Sequence, residues 1–257
     1  MGVAYGISPT WAAQTDEGRT HIATRGIVQD GLVLNLDAGA SISYPGSGTT
    51  WTDLSGNGNN GTLVNGVGYS NGALVFDGVN DYVTCNPKNS TTNGLYFGGA
   101  TSISVSAWVK NNTTNTFNNF VMYEDIVNGN GVEPVRLATR GHVGDNTASF
   151  SIAQSDSSNS AISNTILNDT DYYHLTGTFG GGYVKIYVNG IFESQTSLSG
   201  SMDVPISGTS ARWTIGSGEL DSSRFLNGNI AQVSIYNRAL TAEEIQQNFN
   251  ATKSRFQ

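Results

Sequence analysis

Asp53, Ser55, Asn57 and Gly58 stand at the spacing with which a calcium loop begins, with oxygen-bearing side chains at alternate positions and then a glycine turn. The twelfth position of such a loop requires a bidentate Glu. Val64 occupies it, so the stretch is not an EF-hand. The remaining carboxylates are no better placed for acid–base work. Glu124 and Asp125 are adjacent, and a strand turns adjacent side chains to opposite faces. Glu133 precedes Pro134 without an acidic neighbour, and Glu243 and Glu244 belong to a helix cap. His21, His142 and His174 are the only histidines, and none lies in a Ser or Cys nucleophile motif. Cys85 is the only cysteine, which excludes an intrachain disulfide and a Cys-based metal site. It reads as a small strand-end residue near the core, with a bridge to another chain as the alternative. Trp108, Tyr183 and Tyr187 lie on the more polar faces of their strands, where they suit sugar contact; the alternative is that they pack under loops.

The composition points to an all-β chain with many loops. Of 257 residues, 37% are hydrophobic and only 12% charged, and Gly, Ser, Thr and Asn fill much of the remainder. The net charge of −8, with no cluster of Lys and Arg, argues against a nucleic-acid partner. No stretch approaches the roughly 20 apolar residues of a membrane helix, so no membrane insertion is expected. Residues 1–30 carry Asp16, Glu17, Arg19, His21 and Arg25 and no apolar h-region, so synthesis in a cytoplasm without Sec export is expected.

The elements that position these residues follow from periodicity. LVLNLD from Leu32 alternates as a half-buried strand does. WTDLSGNGNNGTL then packs turns ahead of the apolar run Leu74–Phe76. In ISVSAWVK, Ile103, Val105, Ala107 and Val109 face one way, and Ser104, Ser106 and Trp108 the other. Phe120–Val127 and Val132–Thr139 read as a strand pair, Ala148–Gln154 as a further strand, and 155–160 as a low-complexity loop. Asn189-Gly190 between two alternating runs is a hairpin signal. Arg212–Gly216 and Phe225–Tyr236 supply closing strands. Thr241 with Glu244 forms a capping box for a helix over Ala242–Asn250, with Leu240 and Ile245 placed as a hydrophobic staple. The loops at 86–100, 111–118 and 155–160 are candidate recognition surfaces.

GLVLNLDA at 31–38, WTDLSGNGNNGTL at 51–63, LVFDGVNDYV at 74–83, ISVSAWVK at 103–110, VKIYVNG at 184–190 and FLNGNIAQVSIYNRALTAEEI at 225–245 stand in order. Together they resemble the laminin-G-like, concanavalin A-like lectin/glucanase family over roughly residues 31–256. The resemblance implies an antiparallel jelly-roll β-sandwich with one short C-terminal helix. Residues 1–29, weakly periodic and interrupted by Gly2, Gly6, Gly18 and Gly26, read as an arm ahead of the sandwich at 30–257, either a partly ordered tail or a docking segment. The resemblance also implies a Ca2+ at the sandwich rim as an optional ligand, held by Asp53, Asp77 and Asp81; the alternative is that Asp53 and Asp77 cap turns through their own backbone. Glycosidases of this fold carry a Glu-x-Asp-x-x-Glu strand, and no such strand occurs here, so a non-enzymatic protein is expected.

The stretches YPGSGTTWTDLSGNGNNGTL and YNRALTAEEIQQNFNATKSRF are similar to versions found in structural proteins of tailed, marine bacteriophages. That likeness implies a virion protein, a homo-oligomer within the particle, which meets other virion proteins and displays its sandwich as a decoration or for host attachment through cell-surface glycans. Tyr5, Ile7 and Trp11 are costly to leave exposed on a free tail and are the candidate docking residues of the arm. A free carbohydrate-binding lectin, Ca2+-assisted or not, is the alternative.

Overall fold

The structure, a computed structural model, describes residues 26–85, 94–113, 117–127, 130–140, 146–154, 157–204, 211–217 and 224–256, with the backbone alone at 126–127 and 130–131 and at the short pair 15–16 and 19–20. Tyr5, Ile7 and Trp11 lie outside the described residues. In chain order the strands are β1 (Thr15–Asp16), β2 (Arg19–Thr20), β3 (Leu32–Asp37), β4 (Thr50–Trp51), β5 (Gly61–Val64), β6 (Gly68–Ser70), β7 (Ala73–Asp77), β8 (Tyr82–Cys85) and β9 (Ile103–Asn111). They continue with β10 (Asn119–Val127), β11 (Asn130–Thr139), β12 (Thr147–Gln154), β13 (Ser157–Ile166), β14 (Tyr173–Gly180), β15 (Tyr183–Val188), β16 (Ile191–Ser197), β17 (Arg212–Ile215) and β18 (Asn227–Tyr236). Helix α1 (Ala242–Thr252) follows.

Two antiparallel sheets form a sandwich. Sheet I runs β13-β12-β11-β10-β17-β8-β5-β4, and sheet II runs β16-β15-β14-β9-β18-β7-β6, with β3 also paired to β18. One edge of β18 is shared: its first half bonds β7 and its second half β3, while β9 lines the other edge throughout. The core lies between the sheets. Ile103, Val105, Ala107 and Val109 enter it from β9, opposite Val121, Tyr123, Val135, Leu137 and Phe150 of sheet I. The sheets touch most closely at Gly177, where an added Cβ would lie 2.0 Å from the Phe150 ring. The hairpin forms at Asn189-Gly190, both with positive φ as the two-residue turn requires.

The chain ends roof sheet II. The α1 cap is the expected capping box at Thr241 and Glu244, and Leu240 and Ile245 are both buried beneath it. The helix runs two residues beyond the expected end, as far as Thr252. Residues 26–30 lie alongside it. The Val28 N–H donates to Asn248 Oδ1 (2.8 Å), the Tyr236 hydroxyl donates to the Val28 carbonyl (3.1 Å), and Gln247 Nε2 donates to the Gly26 carbonyl (2.8 Å).

The expected loop at 155–160 is corrected in part, since β13 begins at Ser157. Its Ser and Asn side chains give no apolar alternation. Order comes instead from its backbone ladder with β12 and from the Ser151–Ser160 hydroxyl pair (2.7 Å). The edge strands β13 and β16 meet at one side of the sandwich through side chains. Ser194 Oγ accepts from the Ile162 N–H (3.0 Å), and Thr196 Oγ1 donates to the Ser160 carbonyl (2.7 Å). Glu193 Oε2 accepts from the Asn164 and Thr165 N–H groups (2.6 and 2.9 Å).

Candidate functional site

The pleat that sends Val135, Leu137, Phe150 and Ile152 into the core sends Arg136 and Ser151 outward from sheet I. These two are partners in register, and Ser151 pairs onward with Ser160. Above them lies a groove of about 290 Å3, bounded by Glu133, Arg136, Ser151, Ser157, Ser158 and Asp203. Arg136 Nη1 donates to Glu133 Oε2 at 3.0 Å. Its guanidinium lies 4.8 Å from the centre of the Phe117 ring, and Arg224 lies 4.6 Å from the same ring. Arg224 is also 4.0 Å from Glu133 Oε1. Burial is the main influence on Arg136 and lowers its pKa; Glu133 opposes that and Arg224 adds to it. The Arg136 Nε–H is buried with no partner among the described residues. The groove therefore combines hydroxyls, carboxylates, guanidinium donors and an adjoining aromatic ring. Such a set has the donors and acceptors with which a groove can hydrogen-bond a polyol.

The outer face of sheet II is also polar, but it is closed. Asn35, Ser106, His174, Thr176, Gln232 and Ser234 are buried beneath residues 26–30 and α1. The Ser106 hydroxyl pairs with His174 Nε2 (2.8 Å) and Thr176 Oγ1 (2.9 Å), and Asn35 Oδ1 accepts from Gln232 and Ser234 (both 3.2 Å). A water-sized cavity of about 10 Å3 remains beside His174, lined also by Ile27 and Asn248. His174 Nδ1 has no partner among the described residues, and burial pulls the imidazole pKa down to about 3.

Trp108 belongs to this closed face. It is fully buried, stacks on Phe249 and Phe256 at ring-centre distances of 5.7 and 4.4 Å, and donates from Nε1 to Thr252 Oγ1 (2.8 Å). A sugar would have to lift α1 to reach it, so the expectation of a Trp108 platform is corrected. Tyr187 is likewise buried, in a cluster with Val28, Leu32, Tyr236 and Ile245. Tyr183 is 38% exposed, beside Lys185. The three rings form no common platform.

Asp53 is the hub of the corner loop. Its Oδ1 accepts from the Asn35 and Ser55 N–H groups (both 2.9 Å), and its Oδ2 from the Ser55 hydroxyl (2.7 Å) and the Asn59 N–H (2.9 Å). Four donors fill the lone pairs of the carboxylate and leave no position for a metal. Asp77 and Asp81 share a different loop, where Asp77 Oδ1 accepts from the Val79 N–H (2.8 Å) and Asp81 Oδ2 from the Asp77 N–H (3.2 Å). Asp81 Oδ1 is buried without a partner. Burial, and then the Asp77 charge, raise its pKa. Among the described residues no three His, Cys, Asp or Glu converge on one point, so the three aspartates do not form a single site. Cys85 is a buried free thiol, pushed up to about 12 by burial and by Asp53, and is inert as a nucleophile.

Sequence reasoning missed Phe117, Arg136, Ser151, Asp203 and Arg224, and it left Glu133 without a role. The signal it did find was regional: Phe117 comes from the 111–118 loop, and Ser157 and Ser158 from 155–160.

Two antiparallel sheets with an open polar face define a lectin-like β-sandwich. A sequence profile of the concanavalin A-like lectin/glucanases superfamily, of laminin-G type, matches residues 76–246, and the chain belongs to that family. No curated protein matches it. Among solved structures, the chain is similar to Trypanosoma rangeli sialidase in complex with sialic acid (16% identity, TM-score 0.62, covering 88% of this chain and 33% of that one). It is also similar to the botulinum neurotoxin serotype D binding domain (17%, 0.61, 88% and 53%). The receptor binding domain of the botulinum neurotoxin C/D mosaic serotype is a further match (19%, 0.59, 88% and 52%). The chain thus spans about a third to a half of those structures, and at these identities the likeness shows the fold.

Proposed function

We propose that the protein is a non-enzymatic glycan-binding sandwich whose ligand lies in the groove on sheet I. The observation that carries this reading is the groove itself: hydroxyls, a guanidinium and carboxylates converge on one open face, while the polar face of sheet II is closed. Glu133 is already bonded to Arg136, which commits it to positioning rather than to proton transfer. The receptor binding domain of the C/D mosaic neurotoxin, the binding domain of the serotype D neurotoxin and the sialic acid in complex with the sialidase are in keeping with a glycan-facing surface. A glycan array of the full chain tests the reading. Glycan-dependent signal that Ser151→Trp abolishes by filling the groove is expected; uniformly blank wells with and without Ca2+ would sink it.

The setting we propose is the virion of a tailed phage, with residues 1–29 holding the domain to other virion proteins in several copies. The phage-like versions of the 44–63 and 236–256 stretches support it. Loss of particle incorporation on deleting 1–25, which leaves the packed residues 26–30 in place, is expected with the sandwich still folded; unchanged incorporation favours a free lectin. We also propose Asp77 and Asp81, without Asp53, as an optional Ca2+ site, supported by the unpartnered Asp81 Oδ1. Ca2+ should then raise the unfolding temperature of the wild type but not of Asp81→Asn.

A further inference from the structure

We infer that the groove selects a singly charged sugar acid, one carboxylate on a hydroxylated ring, over both neutral and polysulfated glycans. The inference rests on the glycan-binding reading of this groove. A guanidinium offers a fork of donors that matches a carboxylate, and Arg136 presents an under-used one. Its bond from Nη1 to Glu133 Oε2 is the one hydrogen bond that this guanidinium makes to a described residue, and its buried Nε has no acceptor among them. The side chain is 18% exposed and borders the groove, so a ligand carboxylate can approach the guanidinium from the open side. The Phe117 ring lies 4.8 Å from the guanidinium carbon, within cation–π range. A second cation, Arg224, stands across the same ring and adds to the attraction for one negative group.

The opposite wall sets the upper limit on charge. Asp203 borders the groove, and Glu133 holds its own carboxylate beside Arg136. Both accept hydrogen bonds from ring hydroxyls and repel a second anion. Ser151, Ser157 and Ser158 supply further hydroxyl contacts. The protein as a whole carries −8, which adds a penalty for every extra sulfate.

The test is an array of matched triplets, in which each neutral oligosaccharide appears beside its uronate- or ulosonate-bearing form and its sulfated form, probed with the full chain at low and physiological salt. The acidic member should bind about tenfold tighter than the neutral one, the gain of one charge-assisted contact. That preference should shrink as salt rises. Arg136→Gln should weaken the acidic member far more than the neutral one, so that the preference collapses, and Arg136→Lys should retain part of it. Equal binding of neutral and acidic members overturns the inference and leaves the glycan reading standing. Tightest binding by the sulfated members also overturns it. No binding by any member overturns both. Should Arg136→Gln fail to fold, the ranking and its salt dependence in the wild type decide the matter.

Discussion

Both sheets turn a row of polar side chains away from the core, and the two rows meet different fates. On sheet II the row of Asn35, Ser106, His174, Gln232 and Ser234 is roofed by residues 26–30 and α1, and its members bond to one another. On sheet I the row of Arg136, Ser151 and Ser160 opens on a groove. The same alternation thus produces an internal hydrogen-bonded layer on one side and a candidate ligand surface on the other. Alternation tells which side chains leave the core; the chain ends decide which of them reach water.

The comparison can be broken hardest at Trp108. Trp108→Ala removes the ring on which Phe249 and Phe256 of the roof stack, and its bond to Thr252, and should cost roughly 3–5 kcal/mol in urea unfolding. Glycan binding on the opposite sheet should survive wherever the variant folds. Intact stability with lost binding would instead make Trp108 a platform.

Acid attacks the roof next. His174 titrates near 6.5 when unfolded and at about 3 when folded, so the unfolded chain binds the proton first. The stability held by the neutral ring is complete above pH 6.5 and drains away as pH falls toward 3. At ~1.4 kcal/mol per pKa unit the loss is at most about 5 kcal/mol. No carboxylate is among the residues that bond to, stack on or line the cavity beside the ring. Unfolding free energies measured across that range should slope, and His174→Gln should flatten the slope.

Asp53→Ala strips the acceptor from the Asn35, Ser55 and Asn59 N–H groups and should cost about 2–3 kcal/mol by denaturant titration. Thr241→Ala loosens the helix that forms the roof by about 1 kcal/mol, read as a lower unfolding midpoint. The smallest effect on stability belongs to the open face. Glu133→Gln breaks a partly exposed ion pair and should shift the unfolding free energy by under about 1 kcal/mol, while glycan binding falls.

Much of the fold was legible because its signals are local. The β9 alternation, the Asn189-Gly190 turn and the Thr241–Glu244 cap each depend on a few neighbouring residues. The family-bearing motifs lie on β3, β5, β7, β9, β15 and β18, which form the frame of the sandwich. The candidate site was hidden for the opposite reason. Phe117, Glu133, Arg136, Ser151 and Asp203 come from separate segments, and the sheet order alone brings them together. Trp108 was placed on the correct face of its strand, but nothing local says that a helix begun at Ala242 returns to cover it. Asp53 read as half of an ion loop because turn-capping and metal loops draw on the same residue types.

The side-chain seam between β13 and β16 bears on how copies of the protein can share a surface. An edge strand with open N–H and C=O groups is a template for a neighbour's strand. Here Glu193, Ser194 and Thr196 occupy those groups on β13 from within the same molecule. Molecules crowded shoulder to shoulder are therefore denied a zipper along this flank. Any association between copies along this flank would have to use contacts other than strand pairing.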